Sequence, residues 1–426
     1  MKQRQLRFGR KAKILIAIVV VAIVLVSFFA FLRGESIFSK WFPGEDQSSL
    51  IESSTAINSS VWRQVAVNAW AYFQPGVGVD PNTGLPYAGD VSFKAFTAWD
   101  LGSYIQAIIE AQKIGLISTE GDWGSNARLE KVVNFLENRP LNETTGYPFW
   151  FYDATTGKDY ASMSDKSTFI VDVADTGRLL LALSNLIAYN SSWTQRIDNF
   201  VYNTYGNSSN FAALVPNIEA GAGSNSIYSY YIDSGFARFW PQELGNVPNT
   251  ILNNIDNSPT ITTYNVTLPD APITCDPLLC SIYEANNTDS RLLNLMNQVY
   301  LAHEAYYNAT NQYVAFSEGN SFTSNYIYEW IVAPNGSTWK ITNAAQNIYY
   351  NINPIVYTKV AYSFLALYNT TYARNTVIFL EKNIPNPSKG YANGVDDSGN
   401  PLPGLGDNTN ELILDAALYA MHNNSS

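Results

Sequence analysis

The stretch TAWDLGSYIQAIIEAQKIGLIS, Thr97–Ser118, decides how the chain is read. A long run of apolar residues at helical spacing follows Asp100, and that spacing predicts a helix over Leu101–Ile114. Asp100 stands at the start of this run, directly after Trp99. It is either a helix cap or a catalytic carboxylate held at the mouth of a pocket.

The same period recurs along the chain. It predicts helices at Val61–Phe73, Asn126–Glu137, Val173–Tyr189, Trp193–Tyr205, Ile227–Phe239, Arg291–Tyr307, Val356–Tyr368, Tyr372–Lys382 and Thr409–Met421. GRLLLALSNLIAY and YTKVAYSFLALY are apolar nearly all round and belong to an inner ring, whereas ARLEKVVNFLEN keeps a polar stripe and belongs outside. The fold class is therefore all-α: an (α/α)6 toroid of paired helices with a few short β-hairpins. The hairpins fall at YPFWFYDATTGK and NSFTSNYIYEWIVAPNGSTWKI, with turns at Thr156–Gly157 and Asn335–Gly336. A two-layer helical solenoid lacks the fixed-period repeat it requires.

The chain begins with a basic head, residues 1–13, that has no acidic residue. Residues 14–32 are uncharged and almost wholly apolar, long enough to cross a bilayer as one helix. The basic head holds the N-terminus in the cytoplasm. The reading is a retained transmembrane signal anchor, a Ser-rich tether over 33–60, and one extracellular domain over 61–423. The cell membrane is thus one partner, and the single-pass topology puts the domain outside, where cell-envelope proteins are further partners. Eleven Asn-X-Ser/Thr sequons fit an exterior glycoprotein: Asn58, Asn142, Asn190, Asn207, Asn265, Asn286, Asn308, Asn335, Asn369, Asn423 and Asn424. The Asn/Tyr/Ser/Thr-rich, Lys-poor composition is similar to that of archaeal surface proteins. The only cysteines, Cys275 and Cys280 in CDPLLC, are expected to pair as a small-loop disulfide in that oxidising setting.

Composition removes most chemistries. A net charge of −11 gives no basic face for nucleic acid. With only His303 and His422, neither well placed, a Ser-His or Cys-His mechanism lacks its base. No phosphate-binding glycine loop lies between a strand and a helix. No cofactor and no His- or Cys-based metal site is expected; an oxygen-ligand calcium site stays compatible with the composition. What remains is carboxylates and aromatics, 28 Tyr and 10 Trp among them, the side chains that line saccharide clefts. Trp99, Trp150, Tyr152, Trp240 and Tyr326 lie in loops and are substrate-binding candidates. Carboxylates at loop–helix junctions are Asp100, Asp153, Asp172, Asp175, Asp276, Glu284, Glu318 and Asp407. Glycoside cleavage needs two of them facing one bond.

Seven pieces in order resemble the family known as domain of unknown function 3131: AWAYFQPGVGVDPNTGLPYAG with TAWDLGSYIQAIIEAQKIGLIS, GYPFWFYDATTGK, DVADTGRLLLAL, ITCDPLLCSIYEANN, VYLAHEAYYNATNQYVAFSEGN, YTKVAYSFLALY and KGYANGVDDSGNPLPGLGDNTNELILDAALY. The resemblance spans about Val61 to Met421. It implies a glucoamylase-like toroid whose pocket lies at the N-terminal ends of the inner helices, and a polysaccharide or oligosaccharide partner. Asp100, Asp175 in ADTGR and Glu318 in SEGN are then the catalytic candidates, with Lys359 and Asn410 added to the substrate-binding set. One departure is Asp276-Pro277, where the family carries Glu-Pro. Arg178, three residues after Asp175, is a simple pairing partner for it. The function this points to is a membrane-anchored extracellular glycoside hydrolase or transglycosylase; the alternative is a noncatalytic surface glycoprotein that binds glycans or packs into the envelope. N-terminal sequencing of the mature protein checks the anchor: Met1 is retained, and a chain starting near Glu35 overturns it.

Overall fold

The computed structural model describes residues 49–89, 93–143, 146–160, 172–202, 211–321 and 326–423. The basic head and the expected transmembrane segment lie outside the described residues. Among the described residues no helix is long and apolar enough to cross a membrane. The tether ends earlier than expected. Leu50–Ser53 is a helical turn, Ile51 and Ile57 are buried, and the Ser49 hydroxyl donates to the Glu381 carboxylate.

Twelve helices of nine residues or more alternate between two layers among the described residues. They are α1 (Ser59–Trp70), α2 (Ala98–Ile114), α3 (Ser125–Asn138), α4 (Val173–Tyr189), α5 (Thr194–Tyr202), α6 (Ile227–Phe239), α7 (Val247–Asp256), α8 (Cys275–Tyr283), α9 (Ser290–Thr310), α10 (Thr358–Tyr368), α11 (Thr371–Asn383) and α12 (Asp407–Asn423). The even-numbered helices form a closed ring, in which α2 packs on α4, α4 on α6, α6 on α8, α8 on α10, α10 on α12, and α12 back on α2. The odd-numbered helices lie around them, α1 across α12 and α2, and each of the others against the ring helix it follows or precedes. Composition explains the layering. In α4 every residue from Thr176 to Leu183 is buried, whereas in α3 only one face is.

The helices begin where capping side chains allow. The Thr97 hydroxyl accepts the Trp99 N–H at 3.1 Å and the Asp100 carboxylate accepts the Thr97 N–H at 2.7 Å, a reciprocal capping box. Asp172 caps α4 through the Ala174 and Asp175 amides. Gly115, at φ 77°, closes α2 in the left-handed region that glycine tolerates.

Ten short strands accompany the helices among the described residues. The hairpin expected around Asn335–Gly336 is present as β6 (Tyr326–Val332) and β7 (Thr338–Asn343). It sits inside a four-stranded antiparallel sheet with β5 (Glu318–Asn320) and β8 (Tyr349–Tyr350). In that sheet Glu318 faces Tyr328 in register. The other expected hairpin is present too: Tyr152 bridges Asp159 across the Thr156–Gly157 turn, with the Tyr160 N–H donating to the Phe151 carbonyl at 3.1 Å. Its first strand, Tyr152–Asp153, also pairs with the distant Ala95–Phe96, where Phe96 and Tyr152 stack in the core.

Two further expectations are overturned. Cys275 and Cys280 are free and fully buried on α8. Five residues apart on a helix, they point about 140° away from each other and cannot bond. Among the sequons, Asn142 is only 8% exposed and offers no access for a glycan. Asn58, Asn265, Asn286, Asn308, Asn335, Asn369 and Asn423 are exposed and Asn190 is half-buried; Asn207 and Asn424 lie outside the described residues.

The tightest crossing in the ring is α4 on α6. A Cβ at Gly235 would stand 1.9 Å from the Gly177 carbonyl oxygen, and one at Gly177 would stand 2.7 Å from the Ile232 carbonyl oxygen. Both partners are backbone and cannot rotate away. Gly235→Ala is therefore expected to cost at least the ~1–3 kcal/mol of an overpacked core, seen as a lowered urea midpoint. An unchanged midpoint would show that the helices do not meet there.

Candidate active site

All six ring helices bring their first turns to one end of the toroid. That end collects Asp100 from α2, Asp175 from α4, Tyr228 from α6, Asp276 from α8, Lys359 from α10, and Asp407 with Asn408 from α12. The N-terminal end of a helix carries partial positive charge, so this rim favours carboxylates and other anions. The side chains interlock. The Lys359 ammonium and Asp276 form a buried ion pair, and the same carboxylate accepts from Asn408 Nδ2 at 3.2 Å and Ser317 Oγ at 3.4 Å. Asp100 lies against Asp407. The Tyr228 hydroxyl donates to Glu318 Oε2.

Glu318, at the start of β5, is 4% exposed. Burial pushes its carboxyl up to about 7, the Asp276 charge pushes the same way, and Lys359 opposes. A carboxylic acid still protonated near neutrality is what a proton donor requires. Asp175 is raised well above the usual range, first by burial and then by the charges of Asp172 and Asp100. Its Oδ2 is sealed from solvent and has no hydrogen-bond partner. Asp100 and Asp407 are raised as well, chiefly by burial. Tyr328 lies between the two sides of this end, since after burial its phenol is raised by Glu318 and then by Asp175 and Asp172.

Beside Asp175 lies a small recess lined by Asp172, Asp175, Arg139, Phe149, Trp150 and Phe211. Trp150 is 38% exposed, and Tyr326, next to Glu318, is 41% exposed. Each offers a flat apolar face of the kind on which pyranose rings stack.

The sequence candidates divide. Asp100 and Asp175 come together at the ring end, and Glu318 faces them across Tyr328. Asp100 is not the N-cap but the third residue of the helix, closing the capping box that Thr97 opens. Lys359, Trp150 and Tyr326 belong to the same end. Trp99 lies under the site, its ring 4.7 Å from the Arg178 guanidinium. Tyr152 is corrected to a core residue, 2% exposed, with its hydroxyl donating to the Pro140 carbonyl at 2.8 Å. Trp240 stands at the C-terminal end of α6, the far end of the ring, packed on Phe236 and Tyr202. Asn410 is fully buried and spends its amide on the backbone of Tyr391 and Gly406. Arg178 turns away from Asp175 to Glu284 and Glu411. Tyr228, Tyr328 and Asn408 were not foreseen. Tyr228 was within reach, because it falls in the first turn of a helix whose start at Ile227 is plain in the sequence.

The sequence matches the family described as Protein of unknown function (DUF3131) over residues 64–423. No functionally curated protein matches it. Among solved structures, the β-1,2-glucanase of Parabacteroides distasonis superposes with a TM-score of 0.54 at 12% identity, over 87% of this chain and 57% of that longer one. The endo-β-1,2-glucanase of Talaromyces funiculosus in complex with sophorose superposes at 0.56 with 11% identity, over 88% and 86%. A D-mannose isomerase superposes at 0.53 with 13% identity, over 87% and 100%. At these identities the likeness is one of fold, and the fold serves more than one reaction.

Proposed function

The chain belongs to the DUF3131 family, and from that premise we propose that it is a carbohydrate-active enzyme that breaks or transfers glycosidic bonds at the N-terminal end of its helical ring. The observation that carries the proposal is Glu318: a buried carboxylic acid raised to about 7, in a ring of Tyr228, Tyr326 and Tyr328. Glu318 gives its proton to the leaving glycosidic oxygen as the bond to the anomeric carbon breaks. Asp175, on the other side of Tyr328, once it has given up its own proton, takes a proton from water, or from a sugar hydroxyl in transfer, as that oxygen bonds to the anomeric carbon. Asp175 is preferred to Asp100, whose carboxylate is already engaged by the Thr97 amide and Asp407. The Asp276 charge beside Glu318 helps to keep its proton on, and Lys359 acts against it. Trp150 and Tyr326 stack on the sugars. In this reading residues 14–32 anchor the enzyme so that the domain works outside the cell.

The test is hydrolysis and transfer on a panel of α- and β-glucans, with β-1,2-glucan first because two of the fold relatives are β-1,2-glucanases. Glu318→Gln is expected to lower the rate about 10²–10⁴-fold, and Asp175→Asn comparably, with melting temperatures held. The acid must be protonated in the free enzyme, so kcat/KM falls as pH rises through about 7. Glycan binding without cleavage by the wild type would favour the noncatalytic surface protein. Full activity in Glu318→Gln would remove the assigned acid.

A further inference from the structure

Below the rim, one layer farther into the ring, lies a group of acids that the proposed reaction does not use. Glu284 follows α8, and Glu411 and Asp415 lie four residues apart on one face of α12. Each offers one oxygen, and these three oxygens lie within 4.8 Å of one another. Glu284 is 3% exposed, Glu411 0% and Asp415 4%. Glu411 Oε1 and Asp415 Oδ2 are buried with no hydrogen-bond partner. A fourth acid, Glu110 on α2, is 3% exposed, leaves its Oε2 equally unpartnered, and its charge is felt at Asp415.

The cations present do not balance them. Arg178 binds Glu284 Oε1 at 2.6 Å and Glu411 Oε2 at 2.5 Å. Lys113 binds Glu110 Oε1 at 3.2 Å. Fully ionised, the four carboxylates would exceed the two cations by two negative charges inside the ring. Each unbalanced buried ion costs several kcal/mol. The Glu411 and Asp415 carboxyls lie within hydrogen-bond reach of each other, and two carboxylates so placed need a cation or a proton between them.

We propose that Glu284, Glu411 and Asp415 form a divalent-cation site at the centre of the ring, and that it takes calcium. The three ligands are all carboxylate oxygens, the donors of a hard cation, and calcium accepts the irregular six- to eight-oxygen shells that such side chains make with water. A doubly charged ion cancels the excess of two and ties α8 to α12 beside the Arg178 bridge from α4. Its part is to brace the ring. It stands apart from Glu318 and Asp175 and holds whether or not a glycan is cleaved.

The competing account is that two shared protons neutralise the acids. The test separates the two on the full-length protein. Metal content after exhaustive dialysis against micromolar calcium is expected near one per chain, and calcium added to chelator-treated protein is expected to raise the melting temperature by several degrees. Terbium bound in place of calcium should luminesce on tryptophan excitation, because Trp99 lies on the other side of Arg178. Glu411→Gln and Asp415→Asn should each abolish the calcium shift and the terbium signal. The wild-type stoichiometry and chelator response stand as a reading independent of how either variant folds. No bound metal and no calcium response in the wild type would overturn the site. So would a response that survives in both variants.

Discussion

The guanidinium of Arg178 is the contact on which the ring depends. It is wholly buried, and its nitrogens reach Glu284 and Glu411 through an ion pair each and Asn408 through a hydrogen bond of 2.7 Å. The Trp99 ring lies 4.7 Å away, and the Tyr231 hydroxyl holds the other Glu284 oxygen at 2.6 Å. These groups come from α2, α4, α6, the end of α8, and α12. The sixth ring helix, α10, joins through Lys359, whose partner Asp276 also accepts from Asn408. A ring of this kind has no sheet to set its register. Apolar burial drives the helices together but is indifferent to a shift of one turn. A fixed polar fork that can be satisfied in one arrangement only is not. Replacing such a pair by apolar groups can leave stability unchanged, whereas removing one member strands the others and costs about 3–5 kcal/mol. The contribution is therefore to uniqueness more than to net free energy.

Chemistry at the rim follows from that register. Closing the ring forces six helix N-termini together, and each places its first-turn side chain at the same end. Backbone dipoles there favour negative charge, while burial disfavours it. Glu318 is not on a ring helix. It arrives on a strand, takes none of the dipole benefit, and is surrounded by tyrosines. Its carboxyl rises for that reason, and Asp276, paired with Lys359 on a helix end, lies beside it. Two acids in different settings at one opening is the division of labour that acid–base chemistry uses.

The layers of the fold could be read from the sequence because burial writes itself into local pattern. The all-round apolar Gly177–Tyr189 and Tyr357–Tyr368 are ring helices, and the striped Ala127–Asn138 is an outer one. Asp100, Asp175 and Glu318 could be picked out as junction carboxylates, and the ends of those helices place them. The partners could not be read, because they are distant: Arg178 meets Glu284 across 106 residues and Glu411 across 233. The near neighbour Asp175, three residues away, was the better guess on local spacing and was wrong. The Cys275–Cys280 expectation failed for a related reason. A short loop was assumed where the chain is helical, and a helix turns the two thiols apart. Trp240 and Tyr152 were placed by their loops, while their direction is set by the core they pack into.

The central claim is that Glu318, at the rim, keeps its proton to neutrality. Carbon-13 NMR of side-chain carboxyls in glutamate-labelled protein tests it, with the Glu318 signal assigned by its loss in Glu318→Gln. The account predicts a titration midpoint of about 7 for that signal. A midpoint near the ordinary glutamate value of about 4.3 would contradict it, and with it the assignment of Glu318 as the proton donor.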